Sequence, residues 1–213
     1  MNTTLIINAH PKVDAPSSYS VQVFNHFLKA YKQLIPDSET IEQINLYRDA
    51  VPMIDQTVLS AWEKQQKEQE LTSQERKVME RMSGILQQFK RANTYVIVLP
   101  LHNFNIPSKL KDYMDNILIA RETFKYTENG SVGLLKDGRR MLVIQASGSI
   151  YTNDDWYTEI EYSHKYLKSM FNFLGIEDYQ MIRAQGTAFL EPNEVLNETY
   201  KEAEEAASRL ATK

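Results

Sequence analysis

Two unbroken apolar runs constrain the fold more than any other feature of this chain: Tyr95-Val96-Ile97-Val98-Leu99 and Met141-Leu142-Val143-Ile144. A strand wetted on one face alternates polar with apolar residues, whereas a strand covered on both faces reads as continuous Val, Ile and Leu. Such strands need helices above and below. Three further runs, Leu5–Ile7, Ile41–Leu46 and Tyr179–Ala184, recur with amphipathic stretches between them. Strands alternating with helices give a parallel sheet joined by right-handed crossovers. The expectation is one α/β domain over residues 1–213: a five-stranded parallel sheet between two helical layers, with no internal repeat or linker.

The helical stretches fill in this plan. A first helix is expected from Ser18, turning Val21, Phe24, Phe27, Leu28 and Tyr31 toward the sheet. Asp55 to Glu70, rich in Glu, Gln and Lys, reads as one helix, and Thr72-Ser73-Gln74-Glu75 is a capping box opening another that runs to about Arg91. The helix over 55–70 is therefore an insertion and is expected to project from the domain. Another helix fits between Pro107 and Ala120, a hairpin over 123–136 is marked by Asn129-Gly130, and the last helices span Asp155–Leu174 and Pro192–Ala211. The Met, Phe and Tyr residues of Tyr113–Leu118 and Tyr162–Phe173 supply more apolar surface than one sheet face plainly needs.

Composition excludes several functions. A net charge of −4 gives no basic footprint for nucleic acid. The absence of cysteine removes disulfides, thiolate chemistry and cysteine-ligated zinc. His10, His26, His102 and His164 show no metal-ligand spacing, so no metal is expected. No apolar stretch approaches the ~18 residues of a membrane span, and no signal peptide follows Met1, so a cytoplasmic protein is expected.

Ligands of open parallel sheets bind at the carboxyl ends of the strands, where strand order reverses. Three segments follow the strands in question. Asn8–Ser20 (NAHPKVDAPSSYS) is serine-rich and free of glycine. A helix amino terminus supplies amides and a favourable dipole to a phosphate, so Ser18, Tyr19 and Ser20, with charge from His10, could surround one. The plainer alternative is that Ser17 or Ser18 only caps the helix. In Pro100–Pro107 (PLHNFNIP), Pro100, Leu101 and Phe104 could wall a flat slot whose ring edge pairs with amides around Asn103, or the asparagines could merely turn the chain. In Gln145–Tyr151 (QASGSIY), small residues and Gly148 let backbone approach a ring closely. Together the three describe a site for a mononucleotide with a planar ring.

These residues resemble the bacterial FMN-dependent NADH azoreductases, relatives of the NAD(P)H quinone reductases with a flavodoxin-like fold. The most specific part is Pro100-Leu101-His102-Asn103-Phe104-Asn105-Ile106-Pro107 with Leu110-Lys111, followed by Thr123-Phe124-Lys125-Tyr126-Thr127. The resemblance implies that Ser18, Tyr19, Ser20 and His10 hold the FMN phosphate, that Leu101, His102, Asn103 and Phe104 contact the flavin and its ribityl chain, and that Ala146, Ser147, Gly148 and Ser149 reach the pyrimidine edge. Tyr126 matches an aromatic that covers the substrate cavity. His102 stands where the family carries tyrosine or tryptophan. The family forms homodimers whose two sites lie at the interface.

The function so implied is electron transfer from NADH or NADPH, by a ping-pong cycle through FMN, to quinones and azo compounds. The flavin carries the chemistry, so no nucleophile is required, and His102 is a candidate proton donor. Arg139 and Arg140 could meet a 2′-phosphate. The rival reading is a flavodoxin-type electron carrier that binds FMN without a substrate of its own. A receiver-like signalling domain would need paired acidic residues after the first strand, and Asn8-Ala9-His10 lacks them.

Overall fold

The structure is a computed structural model that describes residues 2–212. In chain order its elements are β1 (Thr3–Asn8), α1 (Tyr19–Leu34), β2 (Thr40–Asn45), α2 (Gln56–Gln66), α3 (Ser73–Arg91), β3 (Thr94–Pro100) and α4 (Ser108–Ile117). They continue as β4 (Phe124–Thr127), β5 (Gly130–Gly133), β6 (Arg140–Ala146), α5 (Trp156–Glu159), α6 (Tyr162–Leu174), β7 (Asp178–Ala184) and α7 (Pro192–Ala211). Each of the five apolar runs lies in a strand of one parallel sheet, ordered β2-β1-β3-β6-β7. The chain leaves β1 in one direction for β2 and returns past it to β3, so strand order reverses between β1 and β3.

Successive residues of the inner strands feed opposite cores, as the period of two demands. Leu5, Ile7, Tyr95, Ile97, Leu99, Met141 and Val143 pack with residues of α3, α4 and α6. Ile6, Val96, Val98, Leu142 and Ile144 pack with α1 and α7. Burying each such side chain stabilises the fold by about 1.5–3 kcal/mol relative to leaving it in water. On α1, Val21, Phe24, Phe27 and Tyr31 are buried as expected, Leu28 only half so, and Val23 joins them against α7. Tyr113, Met114 and Ile117 of α4 are completely buried, so that apolar surplus is core rather than free surface.

Two helices depart from expectation. The insertion helix ends at Gln66, four residues before Glu70, where the chain turns through Glu68 at φ 54°. It also packs back along α3. Val58 and Ala61 are buried, and Ser60 Oγ and Lys64 Nζ donate to Glu75 on α3 at 2.7 and 2.8 Å. Glu75 is at the same time the capping-box residue, accepting from the Thr72 amide at 2.7 Å while Thr72 Oγ1 accepts from its own amide. The second departure is Asp155–Leu174, which is split into α5 and α6; at the break Glu161 turns its side chain inward and accepts from Gln145. The hairpin β4–β5 turns at the expected place but in another register: Phe124 pairs with Gly133 and Thr127 with Gly130, so Glu128 and Asn129 form the loop and Gly130, at φ 115°, opens the return strand.

The Glu75 carboxyl is held down to about 2, first by the Lys64 hydrogen bond, then by the Thr72 amide and Ser60 hydroxyl. Its folded value lies below the ordinary 4.5, so this clamp is fully present above that pH and is lost as pH falls from there toward 2. In a Trp156→Phe background, emission from the half-buried Trp62 on α2 should shift red across that interval, and Glu75→Gln should show the shifted emission at neutral pH. Emission unchanged down to pH 2 would refute the clamp.

Candidate functional site

The loop after β1 is wound by its own side chains, which is how it dispenses with glycine. Buried Asn8 accepts from the His10 amide at 3.0 Å through Oδ1 and donates to the Val13 carbonyl at 3.3 Å through Nδ2. His10 Nδ1 accepts from the Lys12 amide at 3.0 Å. Burial, with the neighbouring His102 and Lys12 charges, lowers the His10 pKa against the opposing pull of the Lys12 carbonyl. At the start of α1, Ser18 occupies the N-cap position, yet its hydroxyl caps nothing and sits 3.3 Å from Ser20 Oγ. The first turn carries no acidic residue. A helix leaves its first amides without intrahelical partners, so an uncapped start presents donors and positive potential to an anion. The simple N-cap alternative does not hold here.

The loop after β3 is more constrained than its sequence suggests. Leu101 donates to the Ala146 carbonyl at 2.8 Å, tying it to the tip of β6. His102 and Asn105 then exchange backbone hydrogen bonds at 2.9 and 2.8 Å around Asn103 and Phe104, at φ 45° and 66°. A two-residue turn with both φ values positive is the type I′ pattern. Asparagine tolerates it, whereas phenylalanine pays about 1–3 kcal/mol and must be held by its surroundings. Ser163 N–H donates to the Phe104 carbonyl at 3.2 Å, and the ring packs edge-on against Trp156 and Tyr151, with centroids 5.9 and 6.4 Å away.

At the tip of β6, the Ser147 hydroxyl donates to the Ser149 carbonyl at 2.9 Å. The carbonyls of Ser147, Gly148 and Ser149 accept from Thr187, Ala188 and Gly186, each at 3.2 Å. The amides of Gly148 and Ser149 donate to no backbone carbonyl among the described residues. The turn thus leaves two donors spare, that of Gly148 on the cleft wall.

These tips enclose a cleft of about 530 Å³. Among the expected residues, His10, Ser18, Tyr19, Pro100, Leu101, His102, Ala146, Ser147 and Gly148 line it. Four do not. Ser20 is completely buried behind Ser18, Ser149 is taken up in the turn with Gly186, Asn103 is exposed, and the left-handed turn directs Phe104 into the aromatic cluster. Tyr126 on β4 also lies outside the cleft and is 75% exposed. Arg140 begins β6 and Arg139 precedes it, at the end of the strand away from the cleft. Arg139 donates to the Lys90 and Ala92 carbonyls and to Tyr95 Oη, and Arg140 to the Arg209 and Thr212 carbonyls, so neither is available to a ligand there. Sequence reasoning missed Lys12 and Thr187, both on the cleft wall. Thr187 follows β7, a fourth strand tip, and its place after Ala184-Gln185-Gly186 was the available signal.

Strand order, crossover pattern and a cleft at the reversal point define a doubly wound protein of the flavodoxin-like class. The family model described as flavodoxin-like fold matches residues 2–210. The chain is 81% identical, over the full length of both, to an FMN-dependent NADH:quinone oxidoreductase 1 of Bacillus cereus. It is equally identical to an FMN-dependent NADH-azoreductase from Bacillus anthracis strain Ames Ancestor, whose crystal structure in complex with FMN superposes with a TM-score of 0.99 over all of both chains. An azoreductase from Bacillus anthracis strain Sterne, 29% identical, matches with a TM-score of 0.88 over 98% of this chain and 100% of that one. The chain belongs to the family of FMN-dependent NADH:quinone oxidoreductases, within the flavodoxin-like fold.

The strained turn gives a direct test. Asn103→Val, which sets a β-branched residue in the left-handed region, should destabilise the protein by roughly 1–2 kcal/mol. Asn103→Gly should stay within about 1 kcal/mol of the parent. Denaturant midpoints at constant slope measure both, and equal midpoints for the two variants would show that the turn carries no such strain.

Proposed function

We propose that this protein is an FMN-dependent oxidoreductase that takes electrons from NADH and delivers them to quinones and azo compounds, reductively cleaving the azo bond. The observation that carries the reading is the uncapped start of α1 at one end of a cleft of about 530 Å³, a volume within the ~300–1,000 Å³ of cofactor and ligand sites. The α1 amides and Ser18 would hold the phosphate, with Ser20 bracing Ser18 and His10 and Lys12 beside it. Pro100, Leu101 and His102 would form one wall of the ring site, and Ala146, Ser147 and Gly148 the other. When bound, FMN accepts a hydride from the nicotinamide and passes reducing equivalents to the acceptor.

The chain's own residues bind, orient and tune. The Gly148 amide, on the cleft wall and without a backbone partner, would stabilise negative charge on the ring edge. His102, exposed on the cleft rim, is the residue able to hand a proton to the acceptor. Donor and acceptor use the same open face in turn, and complete azo cleavage takes two rounds of hydride transfer. NADH is the donor in the relatives' names.

The active form in this reading is a cytoplasmic homodimer of single-domain chains with a site at each side of the interface. Exposed Met53, Leu59, Tyr126, Trp156 and Tyr162 supply apolar surface for a second copy to cover. Tyr126 then acts over the substrate cavity from that interface. Among the described residues no helix is long and apolar enough to cross a membrane.

Anaerobic addition of NADH to the FMN-loaded protein should bleach the visible flavin band, and a quinone should restore it. A protein that retains FMN but is not bleached by NADH would be an electron carrier instead. The double variant Ser18→Ala, Ser20→Ala should weaken FMN retention about tenfold to a hundredfold, the worth of one or two charge-assisted hydrogen bonds. Undiminished FMN occupancy after dialysis would remove the phosphate from this helix start.

A further inference from the structure

Beneath the cleft lies a polar network that the chemistry above does not use. Gln145, Glu161 and Ser163 are 1%, 4% and 0% exposed, burial at which an unpaired polar group is costly. Each is paired. Gln145 Nε2 donates to Glu161 Oε1 at 2.8 Å, and Gln145 Oε1 accepts from Ser163 Oγ at 2.6 Å. Arg183 closes the set, donating to the two Glu161 oxygens at 3.2 and 3.1 Å. Replacing a buried ion pair by apolar residues of similar volume is often neutral or stabilising, so stability alone does not account for this arrangement. What it supplies is direction.

The two ends of the network meet the two walls of the cleft. Gln145 immediately precedes Ala146 on β6, and in the sheet it stands opposite Leu99 of β3 and Arg183 of β7. Ser163 holds the other wall, since its backbone N–H donates to the carbonyl of Phe104, the strained residue of the turn that follows His102. Glu161 joins both to β7, and it stands at the break between α5 and α6, beside which Trp156 and Tyr157 pack around the Phe104 ring.

We propose that Glu161, with Gln145 and Ser163, is a positioning group that sets the separation and angle of the two cleft walls against the planar ring of the cofactor. The inference rests on the assignment of FMN to this cleft. Glu161 touches neither ring nor substrate; it acts through the Phe104 carbonyl and the β6 tip. Loosening it lets the walls relax from the geometry that grips a ring, while the apolar cores on both sheet faces keep the fold.

The test uses full-length Glu161→Gln and Ser163→Ala, each a small change that leaves the Ser163 amide in place. FMN is titrated into the apoproteins by fluorescence quenching well below their melting temperatures. The visible band shape and two-electron midpoint potential of the loaded proteins are then recorded beside the parent. Both variants should bind FMN about tenfold more weakly, equivalent to losing one buried hydrogen bond to a charged group, with an altered band shape and a shifted potential. Parent-like affinity, spectrum and potential, with or without a lowered melting temperature, would overturn the proposal and leave a merely structural network. If the parent itself takes up no FMN, the assignment of the cleft fails first, and the positioning role with it.

Discussion

The central strand β3 is covered on both faces and ends at Pro100, and the next residue, Leu101, still donates to the Ala146 carbonyl of β6. This bond carries the sheet one residue beyond its regular end and holds two loop walls together. A parallel strand cannot return through a short hairpin, so each exit loop must turn away over a helix and leaves room between neighbouring tips. At the reversal between β1 and β3 the helices that follow lie on opposite faces of the sheet, and the space widens into the cleft. The site is therefore a consequence of strand order, and the side chains decide only what fits it.

Charge is distributed to match an anion there although the whole chain carries −4. Lys12 and His10 border the start of α1, whose first turn has no carboxylate. Asp55 caps α2, Thr72 and Glu75 cap α3, and Asp155 caps α5, while α4, α6 and α7, like α1, carry no side-chain cap; of these uncapped starts it is that of α1 that borders the cleft. Leaving α1 open costs about 1 kcal/mol that an ordinary cap would have supplied. Ser18 turns toward Ser20 instead. The free protein thus gives up a little local stability, and a bound phosphate can restore it through the same amides.

The parts legible in the sequence were those decided by local pattern. Continuous burial wrote β3 and β6 as Val, Ile and Leu, the capping box placed the start of α3 at Ser73, and Asn129-Gly130 marked the turn of the hairpin. The strand-tip rule located the cleft and most of its lining. The errors came from contacts distant in sequence. Ser20 reads like Ser18, but it is buried where α1 packs on the sheet and does not line the cleft. Thr187 reaches the cleft only because β7 lies beside β6. The docking of α2 depends on Glu75, already occupied by its own cap, having room for Ser60 and Lys64 as well.

Two of the misread positions share a cause. Phe104 violates its backbone preference, and Glu161 interrupts a helix that its neighbours would otherwise continue, and the two are linked through Ser163 and Gln145. Local preference and global structure agree through most of this chain, which is what makes the fold readable. Where they disagree, an outside demand has overruled the local preference. Here both disagreements bear on one cleft, and each is held in place by hydrogen bonds rather than by apolar packing alone. Apolar packing tolerates small shifts because it has no preferred direction, whereas a carboxylate held by an arginine and an amide at set distances fixes an orientation. A site that must present a flat surface at one spacing needs the second kind of restraint, and the chain concentrates it directly beneath that surface.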